Sequence, residues 1–369
     1  MAGSVFGSIL KVTTWGESHG PAIGAVLDGF PAGMELCEAD IQPFLDRRRP
    51  GRTAVSTPRR EDDRVELLSG VFEGKTTGTP ISMLIRSNAQ RSADYGDLKD
   101  CFRPGHADYG YYAKYGIRDY RGGGRSSGRE TAGRVAAGAV AAKLLRELGI
   151  DLFAYTAAIG PVAADPAAFD RSLIAAMPTA MPDAEANRRA MEYLAQCMEE
   201  KDSAGGVIEA VIRGVPAGIG DPVFDKLDAR LASALVSIGG VKAVEIGDGM
   251  ASAAAKGSEN NDLFIADEAT GGITAASNHA GGILGGISDG CDILLRCSIK
   301  PTPSIFREQT TVDESGAPRR LLIRGRHDPV IVPRAVVVVE AMCALTILDA
   351  MLCGMSARAE DVRRFYRKK

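Results

Sequence analysis

Apolar and hydroxyl-bearing residues mix over Val5–Thr14, and Ile23–Leu27 is a short apolar run, on either side of a turn-rich GESHGP segment at 16–21. Short runs of this kind flanking a Gly- and Pro-punctuated turn predict two short strands joined by a loop. Aliphatic and β-branched runs bounded by Gly and Pro predict further strands at 65–71, 79–85, 152–159, 207–213, 241–246 and 293–299. Helical spacing predicts a short helix over Cys37–Phe44, a helix from about Arg129 to Leu148 with Ala and Gly on nearly every face, one over 183–201 that stops before Gly205–Gly206, and one over 224–236. The longest apolar run, Ala335–Cys353, approaches membrane-spanning length, but it carries Glu340 and Asp349. Carboxylates are costly in lipid, so a buried core helix is expected there. A polar hairpin is expected near Gly316, the polar or Gly-rich stretches 86–100 and 247–261 read as loops and as candidates to close over a site, and a Gly-rich run covers 277–290. Strands and helices follow in mixed order, with no fixed-period repeat and too few strand–helix tandems for a barrel. The expected fold is a single domain over 1–369, an α/β (α+β) sandwich with β-sheets packed around buried helices.

Composition narrows the function classes. The 369 residues carry a formal charge of −3 with 25% charged residues, so no global field argues for nucleic acid or an anionic membrane as partner. Seven cysteines, an odd number with no CxxC pair, argue against a zinc ribbon or a disulfide framework and fit a reducing cytoplasm. The first residues lack the basic, apolar and small-residue succession of a secretory signal, so none is expected.

The chemistry gathers in Cys101–Leu145. Five tyrosines and His106 precede a Gly-rich turn, Arg121–Gly128, which leads into the Ala/Gly-rich helix. Glycines let backbone N–H groups approach a ligand, and the unpaired amides at a helix N-terminus attract anions. Arg121, Arg125 and Arg129 add planar donors, and Ser126 and Ser127 can cap the helix or bond a ligand. A capped helix after a turn explains the same residues. The basic run Arg47–Arg52, with Arg59, Arg60 and Arg64, reads by itself as a solvated face balanced by Glu61, Asp62 and Asp63.

All four histidines, at 19, 106, 279 and 327, fall in Gly- or Pro-punctuated loops. One loop histidine is more often a structural hydrogen-bonder, but four together, near Glu17, Asp108 and Asp328, point to acid–base chemistry near neutral pH. No HExxH or Cys/His spacing indicates a metal, and neither a dinucleotide fingerprint nor a Walker A loop is present. The residues suit a substrate with several negative groups.

The motifs GESHG (16–20), RRRPG (47–51), RPGHADY (103–109), YRGGGRSSGRETAGRVAAGA (120–139), EIGDG (245–249), AGGILGGISDG (280–290), KPTPS (300–304) and GRHDP (325–329) span nearly the whole chain and resemble, in order, those of the chorismate synthase family. The resemblance implies an anti-1,4-elimination of phosphate from 5-enolpyruvylshikimate 3-phosphate to give chorismate, with reduced FMN required and no net oxidation. It implies His19 as the acid for the departing phosphate, His106 as the group that stabilises or protonates the reduced flavin, and Asp328 as an aid to proton removal at flavin N5. Flavin contacts are implied at Arg125, Ser126, Ser127, Gly239, Gly240, Gly285, Lys300, Pro301, Thr302, Pro303, Ser304 and Arg326, and a substrate or NADPH-linked arginine at Arg48. The resemblance also implies a homotetramer and a monofunctional enzyme. NADPH then acts only indirectly, through an external flavin reductase that supplies the reduced FMN.

The chain departs from the family pattern at Ala54, where arginine is usual, and at Gly239–Gly240, where Asn-Ala is usual. Two other functions are weighed against this reading. An RNA-binding protein would use Arg47–Arg64 and the RGGGR segment, but the chain is slightly acidic and has no RNP-type aromatic motif. A flavin oxidoreductase that consumes NADPH in its own right would need a reductase domain, and none is recognisable.

Overall fold

The computed structural model describes residues 3–51, 61–87, 98–267, 271–323 and 328–367. Its strands form two five-stranded antiparallel sheets. In the first, β1 (Val5–Phe6), β2 (Lys11–Trp15), β3 (Ala22–Asp28), β4 (Val65–Leu67) and β5 (Ile81–Arg86) lie in the order β1-β2-β3-β5-β4. In the second, β6 (Asp151–Ile159), β7 (Val162–Ala163), β8 (Gly206–Arg213), β9 (Val241–Ile246) and β10 (Ile293–Ile299) lie in the order β9-β10-β8-β6-β7. In β5 and β10 buried and less buried positions alternate, as the period of two requires when one face meets a core.

The main helices are α1 (Glu38–Arg48), α2 (Asp108–Tyr115), α3 (Thr131–Glu147), α4 (Ala184–Glu199), α5 (Leu227–Val236) and α6 (Val332–Gly354). Helices α1 and α3 pack against the first sheet, α6 packs against the second, and α3 crosses α6 between them. The result is sheet, helix, helix, sheet, an α+β sandwich of the expected class. Small residues make the crossing possible. A Cβ at Gly138 would stand 2.4 Å from Ala341 Cβ, so the two helix backbones touch there as no larger residue would allow.

The apolar helix α6 is long enough and apolar enough to cross a membrane, and it is spent on internal packing: 83% of its most apolar window is buried. Its two acids are paired. Glu340 accepts both Arg47 Nη groups at 2.6 Å and the Ala154 N–H at 3.0 Å, joining α1 to the second sheet. Asp349 accepts the N–H groups of Ser8, Ile9 and Leu10 at 2.7–2.8 Å and bonds Arg230, so it ties the first sheet's opening turn to α6 and α5.

Several boundaries differ from expectation. The segment Val5–Thr14 forms two paired strands rather than one. The Gly-rich run 277–290, for which no element was assigned, contains the tight pair Ile283–Leu284 and Ile287–Ser288. Loop 247–261 holds two short helical turns, Gly249–Ala254 and Gly257–Asn260. Most of the other expected loop, residues 88–97, lies outside the described residues. The expected hairpin around Gly316 is present, Gln309–Val312 pairing with Pro318–Leu321. Helix α2, the hairpin Phe264–Asp267/Gly272–Ala275 and the last helix, Ala359–Tyr366, were not anticipated.

Candidate active site

A cleft of about 970 Å³ opens where the end of α1, the start of α3, the first half of α6 and the segments 237–242 and 300–304 meet. Eight Lys and Arg side chains line it against three Asp and Glu, although the chain as a whole carries −3. Positive charge is therefore concentrated here, which suits a ligand with several anionic groups.

His19 is buried at the cleft wall, 7% exposed, and a glycine turn holds it there. Gly122, Gly123 and Gly124 have φ of 69°, 91° and 55°, the left-handed region that side-chain-bearing residues avoid. This lets the Gly122 backbone press on the imidazole: a Cβ there would fall 2.9 Å from His19 Cδ2. Ser18 locks the two loops, its hydroxyl donating to Arg121 O at 3.1 Å. Beside His19, Asp119 is held below the ordinary carboxylate range. Burial pushes it up, but hydrogen bonds from Arg121 and the charge of His19 outweigh that.

The turn continues into α3 much as a capped helix would. Ser126 Oγ donates to Gly123 O at 2.7 Å, and Ser127 Oγ accepts from Arg129 N at 3.3 Å. Arg125 donates to Gly16 O at 3.1 Å and to Thr14 Oγ1 at 2.7 Å, fastening the turn to β2. The capped-helix reading is what the hydrogen bonds show, and residues 125–131 also line the cleft, at the start of α3.

His106 also lines the cleft. Its Nε2 lies 2.9 Å from Ser304 Oγ, and Lys300 Nζ donates to Gly105 O at 2.7 Å, so the KPTPS segment fixes the histidine loop. Nearby, Asp108 accepts from Arg103 Nε at 2.8 Å and Nη2 at 2.7 Å. Burial alone would raise the Asp108 pKa, but the Arg103 contacts lower it. Asp328 pairs with Arg334, which also donates from Nε to Arg48 O at 3.0 Å.

Arg48 and Arg129 are buried charged groups of the cleft wall that share one acid. Arg48 Nη2 donates to one oxygen of Asp63 at 2.7 Å, and Arg129 Nη1 donates to the other. Burial pushes the Asp63 carboxyl up, but the two guanidinium groups bring it down to about 2.

Of the residues singled out from the sequence, the structure brings His19, His106, Asp328, Arg48, Arg125, Ser126, Ser127, Gly239, Gly240 and all of Lys300–Ser304 to this one cleft. It does not bring Gly285, which sits with φ of 63° in the tight turn that follows Leu284, between the paired strands Ile283–Leu284 and Ile287–Ser288. Arg326 and His327 lie outside the described residues, as do Arg52 and Ala54. His279 is away from the cleft, its Nδ1 2.7 Å from Asp248. Sequence reasoning missed Arg103, Arg134, Lys242 and Arg334 as cleft cations, and Asp63 as a buried partner. Signals were available in Arg103, which opens the RPGHADY motif, and in Arg334, which precedes the long apolar run 335–353.

The cleft's donors fit the flavin that the resemblance implies. Thr302 Oγ1 is enclosed without a hydrogen-bond partner, and a Cβ at Gly239 would meet nothing within 4 Å, leaving room and an unused hydroxyl on adjoining walls.

Comparison with known proteins points one way. The family profile described as Chorismate synthase matches residues 10–352. A chorismate synthase of Lachnoclostridium phytofermentans is 61% identical over 368 residues, covering 100% of both chains. One of Agathobacter rectalis is 57% identical, also covering 100% of both, and one of Methanocella arvoryzae is 54% identical, covering 99% of this chain and 100% of its own. A crystal structure of a chorismate synthase superposes with a TM-score of 0.75 at 32% identity, covering 97% of this chain and 96% of the other.

Proposed function

This chain belongs to the chorismate synthase family, a family of lyases, and we propose that it eliminates phosphate from 5-enolpyruvylshikimate 3-phosphate to give chorismate, with reduced FMN bound in the same cleft and no net redox change. The observation that carries the reading is the convergence of His19 and His106 with eight cations in one cavity of about 970 Å³. A substrate with one phosphate and two carboxylates needs such a field to be held and oriented.

Residues 125–127, Gly239, Gly240 and 300–304 would hold the flavin, with the Thr302 hydroxyl the most obvious unused donor. Reduced FMN, when bound, supplies the electron-rich centre that makes loss of the ring hydrogen feasible. The chain's own groups do the rest. His19, pinned by Gly122, protonates the phosphate oxygen as the C–O bond breaks, where negative charge develops. His106, bonded to Ser304, would stabilise or protonate the reduced flavin. Asp328, held by Arg334, would assist removal of a proton from flavin N5. Arg48 serves the substrate's anionic groups.

The protein acts as a cytoplasmic homotetramer. It is monofunctional, so a separate reductase supplies the reduced flavin and NADPH enters only through that partner. The test is an anaerobic assay of chorismate formation with photoreduced FMN. Chorismate should form without NADPH and not form with oxidised FMN. A folded protein that releases no phosphate under reduced FMN would end the proposal. Steady NADPH consumption without the shikimate substrate would show a built-in reductase, and sedimentation tests the tetramer.

A further inference from the structure

We propose that Asp63 is a positioning residue that sets the donor geometry of Arg48 and Arg129 toward the anionic substrate, a role that rests on the elimination reading above. Its two carboxylate oxygens are divided, one to Arg48 Nη2 at 2.7 Å and one to Arg129 Nη1. All three side chains are enclosed, with Asp63 1%, Arg48 2% and Arg129 6% exposed. Two cations side by side in such a place repel and splay unless an anion lies between them.

The backbone is built to put that anion there. Asp63 has φ of 46°, a conformation ordinary side-chain-bearing residues avoid, and its carbonyl accepts from Gln42 Nε2 at 3.3 Å. Gln42 belongs to α1, the helix that carries Arg48, so acid and arginine share one support. Arg48 Nη1 reaches Gly128 O at 3.2 Å and Thr131 Oγ1 at 3.3 Å, which fixes the side chain to the start of α3. Arg129 Nη2 approaches Arg86 O at 3.4 Å and Glu61 at 3.9 Å. Arg129 Nε is enclosed with no hydrogen-bond partner, on a side chain that lines the cleft. A buried donor of this kind calls for an acceptor, and the substrate's phosphate or carboxylate oxygens are acceptors. Asp63 remains ionised at neutral pH, since the flanking guanidinium groups overcome the effect of burial.

The test is calorimetric titration of 5-enolpyruvylshikimate 3-phosphate into wild type and D63N with oxidised FMN present, where no turnover is required, followed by KM and kcat with reduced FMN. D63N keeps the shape but turns an NH2 group toward one guanidinium. Substrate Kd and KM should rise about 10-fold or more, with kcat within about 3-fold and FMN affinity within about 2-fold. Substrate affinity within about 2-fold of wild type overturns the proposal, and so does a parallel loss of FMN affinity, the mark of a merely structural role. Should D63N not fold, D63E decides by the same criterion, because it keeps the charge but displaces it by one methylene. Failure of both variants to fold assigns Asp63 to folding alone and overturns the inference. A wild type that binds the substrate yet releases no phosphate defeats the proposed reaction and leaves the Asp63 comparison readable. A wild type that does not bind it defeats both.

Discussion

One methyl group added at Gly122 tests the placement of the proposed acid. The Cβ of Gly122→Ala would stand 2.9 Å from His19 Cδ2, 2.9 Å from Ser18 Oγ and 3.0 Å from His19 Nε2. Carbon atoms rest about 3.5–4.0 Å apart, so the ring must retreat by roughly 0.6 Å or more. His19 is 7% exposed and lines the cleft, so a ring pushed off Gly122 leaves its present position relative to the cleft. A misplacement of about 1 Å can cost about 100-fold in rate, so kcat should fall roughly 10- to 100-fold, or about 1.4–2.7 kcal/mol of barrier. The backbone adds a separate effect, because alanine at φ of 69° is strained by about 1–2 kcal/mol whatever it touches. Gly149→Ala isolates that strain: φ there is 81°, and a Cβ meets nothing within 4 Å. The assay is the initial rate of chorismate formation at saturating substrate and reduced FMN, with urea unfolding of both variants. Both should lose similar stability, and only Gly122→Ala should lose rate. A folded Gly122→Ala with kcat within about 2-fold of Gly149→Ala would refute the argument.

Three further outcomes are expected. Ser304→Ala removes the 2.9 Å partner of His106 Nε2, so kcat should fall about 3- to 10-fold with little change in stability, and steady-state kinetics with an unchanged kcat would count against the orientation of His106. The Asp63 carboxyl titrates at about 2 in the folded protein against an ordinary 3.8, so its stabilisation is complete above the unfolded value and is lost as pH falls through about 2. Wild type should therefore lose on the order of 2 kcal/mol more than D63N between about pH 5 and pH 2, read from urea midpoints. Gly138→Val places a branched side chain where even a Cβ lies 2.4 Å from Ala341 Cβ, and should cost about 3 kcal/mol or more, seen as a lower unfolding midpoint.

What the sequence revealed was local. The Ala and Gly of α3 announced a helix packed on several sides, and Gly138 is where that packing is closest. Glu340 and Asp349 ruled against a lipid-facing helix, and both are bonded inside the protein. His19 and His106, 87 positions apart, shared only their loop setting, yet both line one cleft. What stayed hidden depends on distant contacts. The order of the strands is not encoded in any one strand's alternation. Asp63 looked like one of three acids balancing a solvated basic run, because burial and a φ of 46° leave no trace in composition. Helix α2 was missed because tyrosines 109, 111, 112 and 115 surround Gly110 without a continuous apolar stripe. Gly285, a flavin contact by the family resemblance alone, sits in a tight turn outside the cleft lining, and glycine pairs serve tight hairpins and close ligand approach equally well.

The buried acids of α6 also bear on the cleft. Arg47 and Arg48 are consecutive at the end of α1, so they project about 100° apart around the helix. Glu340 takes Arg47 with two 2.6 Å bonds, and Asp63 takes Arg48 at 2.7 Å. Each pairing fixes the rotation of α1, and the two agree on one orientation. A carboxylate in the most apolar helix therefore does more than satisfy its own charge. It holds the helix end from which Arg48 reaches the cleft, while Arg334, at the start of the same α6, donates to the Arg48 carbonyl at 3.0 Å. Loss of Glu340 should consequently disturb anion binding in the cleft as well as stability, because Arg48, the arginine proposed to serve the substrate, is aimed by the arginine beside it.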